Sequence, residues 1–101
     1  MGGLPIDPRV RLSIELAQTA NNAMPSQLAE QEEAGRALGM TGAEMDVARR
    51  GSSFDFHTSI AVSLALDACR ETRQRARDAG FSEEACEEIE RIARSIRAQA
   101  A

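Results

Sequence analysis

The stretch MPSQLAEQEEAGRALGMTGAEMD, residues 24–46, carries the boundary signals of two helices. It predicts one helix that ends at Gly39 and a second, short helix that begins with a capping box formed by Thr41 and Glu44. At about 100° per residue, one face of the first helix collects five residues, with Gln27 on its flank: Met24, Leu28, Gln31, Gly35 and Leu38. A helix that packs against a core needs aliphatic side chains there, so the two amides require a separate explanation.

Two explanations of these amides stay open from the sequence. A buried Gln side chain is costly unless its amide is hydrogen-bonded, so Gln27 and Gln31 can serve the structure by bonding backbone groups, each other or a symmetry mate. Alternatively, residues 24, 27 and 31 lie one turn apart and can line a polar pocket inside a helical bundle. The choice between the two bears directly on function.

Helix boundaries are also marked on the N-terminal side of this stretch. Asp7 as N-cap and Pro8 at the first helical position predict the start of a first helix. This helix is expected to end near residues 21–25, because Pro25 disfavours helical geometry at the residue before it. Ser26 is the predicted N-cap of the second helix. No stretch of useful length alternates with the two-residue period of a strand.

The C-terminal half predicts two further helices. The longer is expected from about Asp55 to Ala79, with a central apolar first half, a charged second half, and a bend or break near Arg70. The last begins at Ser82, and its apolar residues repeat at intervals of three and four: Ala85, Ile89, Ile92 and Ile96. We therefore predict an all-α bundle of about five helices, formed as a single domain by residues 1–101.

Composition restricts the partners that this domain is expected to have. Apolar residues make up 43% of the chain, and many of them are Ala, with three Phe and no Trp or Tyr. A chain of 101 residues with such small apolar side chains buries a small core, so we expect it to self-associate. A net charge of −4 argues against nucleic acid or an anionic membrane surface as a partner.

The longest apolar run, residues 60–66, is too short to span a bilayer. The opening residues predict no secretory signal, and two cysteines fit reduced thiols in the cytoplasm.

The order of these segments resembles the alkylhydroperoxidase D (AhpD)-like and carboxymuconolactone decarboxylase superfamily. IDPRVRLSIELAQTANNA, residues 6–23, is similar to the opening helix of that family. LAEQEEAGRALGMTGAEMDVARRGSSFD, residues 28–55, is similar to its characteristic run, in which a helix ends at Gly, a Thr or Ser cap follows, and an E-x-x-x-A-R-x-G corner precedes an Ala-rich helix. The resemblance spans about residues 5–95 and implies an oligomeric AhpD-like bundle, as a dimer, trimer or hexamer.

The chain departs from this family at the positions that carry catalysis. In the thiol-active branch, a C-x-x-C pair followed four residues later by His occupies the positions of Met24, Gln27 and Gln31, and in the decarboxylase branch an acidic residue and a His stand at the last two. An upstream Glu of the thiol branch corresponds to Leu12. Met cannot form a thiolate, and Gln exchanges no proton near neutral pH. The resemblance therefore implies the fold and a ligand pocket at these four residues, but not the activity.

Three other residues are candidates for a relocated reaction. Cys69 and Cys86 are interpreted as small buried residues, with a redox pair as the alternative. His57, the single histidine, is interpreted as a capping or surface residue, with assistance to lactone or decarboxylation chemistry as the alternative. With one His and no Cys cluster, no metal site is indicated. A phosphate-binding loop is also missing, so no cofactor is expected.

These patterns favour a catalytically degenerate member of the family, which serves as a non-catalytic oligomeric scaffold or as a small-ligand binder. The rival hypothesis is an active enzyme, either a peroxidase-type thiol oxidoreductase that uses Cys69 and Cys86 or a decarboxylase-type enzyme that uses His57. A third hypothesis, a nucleic-acid or protein-docking module, would use an arginine face on the predicted long helix: Arg70, Arg73 and Arg77. That face is interpreted as a solvated, salt-bridged surface.

Overall fold

The computed structural model describes the backbone of residues 6–100 and the side chains of residues 6–99. Within this range the chain is all-helical, with no strand and with six helices: α1 (Pro8–Thr19), α2 (Pro25–Ala37), α3 (Gly42–Arg49), α4 (Phe56–Leu66), α5 (Arg70–Asp78) and α6 (Glu83–Ala100). The expectation that no secretory signal opens the chain rests largely on residues 1–5, which lie outside the described residues. Ala101, the last residue of the predicted final segment, also lies outside them.

Helices α1, α4 and α6 form the centre of the bundle. The helix α4 is apolar nearly all round, as its sequence indicates, and its Val62 and Leu64 are completely buried. The helix α1 lies against α3, α4 and α6. Three of the four members of the predicted α6 stripe are buried in the same core, and the last is half-buried: Ala85, Ile89, Ile92 and Ile96. Each fully buried aliphatic side chain stabilises the fold by about 1.5–3 kcal/mol. This core therefore holds the apolar faces of α1, α4 and α6 together.

The predicted caps account for the ends of several helices. The side chain of Asp7 accepts a hydrogen bond of 3.0 Å from the backbone N–H of Val10 at the start of α1. At the start of α3, Thr41 and Glu44 form the reciprocal capping box. Gly39 ends α2 with φ of +82°, a left-handed conformation that glycine adopts without a Cβ clash. These three signals are confirmed.

The start of α2 differs from the prediction, because Ser26 is not its N-cap. Met24 has that position, with an extended backbone at φ −72° and ψ 155°, and Pro25 is the first helical residue. Proline suits the first helical position, and the residue before a proline prefers extended geometry, so the two preferences combine here. The helix that follows has no side-chain cap and buries only two of its residues, Gln31 and Gly35.

The long helix predicted over residues 55–79 is in fact two helices, which makes six in place of about five. The chain leaves helical geometry from Asp67 to Cys69, close to the place where a bend or break was expected. The hydroxyl of Thr72 accepts from the backbone N–H of Cys69 at 3.0 Å and donates to the backbone carbonyl of Asp67 at 2.7 Å. Such side-chain bonds to the backbone compete with the helical ladder, and here they separate α4 from α5.

Candidate functional site

Gln31 is buried at the contact of α2 with α1, where its side chain is 3% exposed. Its Nε2 donates to Oε2 of Glu15 at 2.8 Å and to Oγ1 of Thr19 at 3.1 Å. The Thr19 hydroxyl in turn donates to the backbone carbonyl of Glu15 at 2.8 Å. Both hydrogens of the amide nitrogen are therefore used by side chains from successive turns of α1. We refer to Glu15, Thr19 and Gln31 as the Gln31 cluster.

The partners of Gln31 determine which way its amide points. The carboxylate of Glu15 is an acceptor, and the hydroxyl of Thr19 has given its one hydrogen to a backbone carbonyl, so it is also an acceptor towards Gln31. A flipped amide would place oxygen against both. Oε1 of Gln31 therefore points away from them, and it is buried with no hydrogen-bond partner among the described residues. A buried acceptor without a partner is unusual and calls for a donor.

Two cavities adjoin the Gln31 cluster, and both fall in the size range of small-molecule sites. The first has a volume of about 330 Å³ and is lined by seven residues: Glu15, Thr19, Asn22, Met24, Gln27, Ile96 and Gln99. The second has a volume of about 460 Å³ and is lined by six: Leu12, Glu15, Gln27, Glu30, Gln31 and Ala34. Glu15 and Gln27 line both, so the two cavities are neighbours across these side chains.

The four residues that the family resemblance assigns to a pocket each line one of these cavities. Met24 and Gln27 line the first, while Leu12, Gln27 and Gln31 line the second. Met24 is 66% exposed at the N-cap of α2, so it is not on the core face that the helical wheel predicted. Leu12 is buried on α1 against the side chains of α3. Only Gln31 makes a buried polar contact between the two helices.

Sequence reasoning missed Glu15 and Thr19, which are the partners of Gln31. The family resemblance placed an upstream glutamate position at Leu12, whereas the glutamate that contacts Gln31 is one turn further along α1. A signal was present, because residues 12, 15 and 19 follow the spacing of one helical face. A carboxylate one turn from the buried Leu12 indicates a polar partner on the helix opposite.

The three candidates for a relocated reaction line neither of the two cavities. The interpretation of both cysteines as buried residues is wrong for Cys69, which is exposed at the N-cap of α5, in the break that follows α4. It is confirmed for Cys86, which is completely buried in the core, and both thiols are free. Burial raises the pKa of the Cys86 thiol above its ordinary value, which disfavours the reactive thiolate. His57 is exposed in the first turn of α4, and its ring centroid lies 5.4 Å from that of Phe56.

Two residues of the predicted arginine face are ion-paired to α6. Arg73 lies 3.0 Å from a carboxylate oxygen of Glu83 and 3.2 Å from one of Glu90, and Arg77 lies 2.9 Å from Glu83. The interpretation as a salt-bridged surface is confirmed for these two arginines. Exposed pairs of this kind contribute about 0–1 kcal/mol each, so they add little to the packing of α5 against α6.

No family model matches this chain, and no curated protein or solved structure matches it either. Over residues 6–100, none of the helices combines the length and the hydropathy that crossing a bilayer requires. The same part of the chain holds no group of three or more His, Cys, Asp or Glu side chains arranged to bind a metal ion. The Gln31 cluster and its two cavities are therefore the features from which a function can be inferred.

Proposed function

We propose that this protein is a non-catalytic small-ligand binder of the AhpD-like type, with its site in the two cavities at the Gln31 cluster. The observation that carries the proposal is the buried amide of Gln31, which Glu15 and Thr19 hold in one orientation. In the family that the sequence resembles, this position has His. A fixed amide beside a cavity binds a ligand without losing rotamer freedom, so this geometry suits recognition.

The side chains that line the cavities support binding and not turnover. Five of them carry neutral polar or sulfur groups that cannot act as a thiolate or exchange protons near neutral pH: Asn22, Met24, Gln27, Gln31 and Gln99. Glu15 and Glu30 are the ionisable residues of the two linings, and Glu15 is already hydrogen-bonded to an amide. The hydroxyl of Thr19 donates its hydrogen to the backbone carbonyl of Glu15, and among the described residues it forms no hydrogen bond with a carboxylate that could activate it as a nucleophile.

We also propose that the chain forms a homo-oligomer. Phe54 and Phe56 are 70% and 66% exposed at the start of α4, and Leu66 is exposed at its end. Exposed aromatic and aliphatic side chains of this size favour contact with another subunit. The helix α2 is covered on only one face, where Gln31 and Gly35 are buried. Association of subunits would cover apolar surface that the small core of one chain leaves open.

Native mass spectrometry of the freshly purified protein, at gentle and then at denaturing settings, tests both parts of this proposal. We expect an oligomer that carries a stoichiometric small-molecule adduct, and we expect Gln31→Leu to lose the adduct. Gln74→Leu is the matched control, because Gln74 is exposed on α5 and lines neither cavity. Retention of the adduct by Gln31→Leu would contradict the site, and a monomer would contradict the assembly.

A hydroperoxide assay tests the non-catalytic part. We expect no thiol-dependent turnover by the unaltered chain above that of the Cys69→Ser and Cys86→Ser variants. Turnover that either substitution abolishes would contradict the proposal and favour the thiol oxidoreductase hypothesis.

A further inference from the structure

We infer that the site takes a ligand with a primary ammonium group on an alkyl stem, which binds the carboxylate of Glu15 beside the buried amide of Gln31. This inference rests on the proposed binding function and specifies the chemical class of the ligand. Three features of the two cavities lead to this inference. Their charged lining residues are acidic, the carboxylate of Glu15 has unused hydrogen-bond acceptor sites, and the amide of Gln31 has an acceptor without a partner.

The charged side chains that line the two cavities are all acidic. Glu15 lines both cavities and Glu30 lines the second. The chain has 12 basic residues, and none of them is among the lining residues. An anionic ligand would therefore meet like charge and find no cation to pair with, whereas a cationic ligand would be attracted.

The carboxylate of Glu15 has most of its binding capacity free. A carboxylate offers about four acceptor sites, and Gln31 is the one side chain of the described residues that hydrogen-bonds to it, through Oε2. Some carboxylates elsewhere on the molecule are paired with arginine, as Glu83 is with Arg73 and Arg77, whereas Glu15 forms no salt bridge among the described residues. A partly enclosed carboxylate without a cationic partner is a natural site for a ligand cation, because charge-assisted hydrogen bonds are the strong ones.

The Gln31 amide adds a second acceptor to the site. Its Oε1 is buried and unpartnered, and Gln31 lines the second cavity beside Glu15. An ammonium group carries three donors and no acceptor, so it suits a site whose polar groups are acceptors. A carboxylate or phosphate group would place acceptor against acceptor. Oε1 itself is enclosed by protein, so the ammonium is held by the carboxylate of Glu15. A primary ammonium is more compact than a guanidinium, which suits a cavity of about 330 Å³.

The apolar part of the first cavity indicates what the ammonium is attached to. Met24 and Ile96 contribute a thioether and an aliphatic side chain to a lining that is otherwise polar. A short alkyl stem can lie against these two side chains while its charged end reaches Glu15. The volume of about 330 Å³ is at the small end of the usual range for ligand sites, so the ligand is a small amine.

An NMR titration of the full chain with three probes of similar shape tests the inference. The probes are n-butylammonium, n-butanol and n-butyrate, and the signals followed are the side-chain amides of Gln27, Gln31 and Gln99. We expect n-butylammonium to shift these signals with a Kd at least tenfold lower than that of n-butanol, and n-butyrate to shift none. Glu15→Gln keeps an acceptor for Gln31 but removes the charge. We therefore expect this substitution to raise the Kd of n-butylammonium at least tenfold and to leave the Kd of n-butanol unchanged.

Glu33→Gln is the matched control, because Glu33 is exposed on α2, lines neither cavity and loses the same charge. Equal affinity for the three probes, or a preference for n-butyrate, would overturn the ammonium assignment while the binding function stands. An equal loss of n-butylammonium binding in Glu33→Gln and Glu15→Gln would also overturn it. If no probe shifts any lining amide, the ammonium assignment fails, and the adduct in native mass spectrometry separately decides the binding function. The ranking of the probes on the unaltered chain decides the question even if Glu15→Gln does not fold.

Discussion

Nε2 of Gln31 lies 2.8 Å from Oε2 of Glu15, and this bond joins α2 to α1 across 16 residues of sequence. The amide end of the bond is buried, and Thr19 holds the same nitrogen from the next turn of α1. Removing one partner of a buried hydrogen bond leaves the other unsatisfied, at a cost of about 1–3 kcal/mol. The residues that would recognise a ligand therefore also hold the two helices together, so stability and binding have to be measured on the same variants.

Gln31→Glu places a second carboxylate against Glu15. We expect it to lower the free energy of unfolding by about 1–3 kcal/mol at pH 7, because two like charges share one enclosed site. The pKa of at least one of the two carboxyl groups is then raised in the folded state, so the lost stability returns as pH falls through that pKa. Urea denaturation at pH 7 and pH 5 measures the difference. Gln31→Leu introduces no charge and serves as the control; an identical pH dependence in both variants would contradict the explanation.

Gly35→Ala tests how closely α2 approaches α3. A Cβ at position 35 would overlap Sδ of Met45, a buried side chain of α3. Alanine improves helix propensity by about 1 kcal/mol, but overpacking typically costs about 1–3 kcal/mol, so we expect a net loss of about 1 kcal/mol in thermal or chemical denaturation. Gly42→Ala is the control, because a Cβ there meets no atom within 4 Å. A Gly35→Ala variant as stable as Gly42→Ala would show that Met45 moves aside at no cost.

Asp55 caps α4 and makes its stability depend on pH. Its carboxylate accepts bonds of 2.8 Å from both the backbone N–H and the hydroxyl of Thr58, and these bonds hold the pKa of Asp55 below its ordinary value. A lowered folded-state pKa means that the contribution is present above the unfolded pKa and is lost as pH falls through the folded one. We expect Asp55→Ala to cost about 1 kcal/mol at pH 7, and the difference from the unaltered chain to shrink as pH falls below the unfolded value of about 3.9. Asp55→Asn, which can still cap the helix, should show a smaller cost.

The two thiols should differ in reactivity under native conditions. Cys69 is exposed, whereas Cys86 is fully buried and its pKa is raised by burial. We expect iodoacetamide to modify Cys69 readily and Cys86 only at the rate at which the protein unfolds, as followed by peptide mass mapping. In Cys69→Ser only the slow phase should remain. Rapid modification of Cys86 in the folded protein would contradict its placement in the core.

The local part of the fold could be predicted from the sequence. Asp7, Thr41 and Gly39 act within a few residues of chain, so their residue types alone indicate where helices begin and end. The apolar stripe of α6 was equally clear, because one helix carries the whole pattern. The differences were also local: the hydroxyl of Thr72 completes the break that was expected near Arg70, and Pro25 moves the start of α2 to Met24. In both places two short-range conformational preferences compete, and the sequence pattern alone does not show which of them prevails.

Residue patterns along the chain were enough to predict a helical protein, and they marked Gln27 and Gln31 as amides in need of an explanation. The burial of Gln31 against Glu15 and Thr19, and the exposure of Met24 at the rim of a cavity, became visible only in the packed bundle. The reason is physical. A cap or a stripe depends on spacing along one helix, whereas the partner of a buried amide depends on where two helices meet and how each is rotated, and those depend on the packing of the whole core.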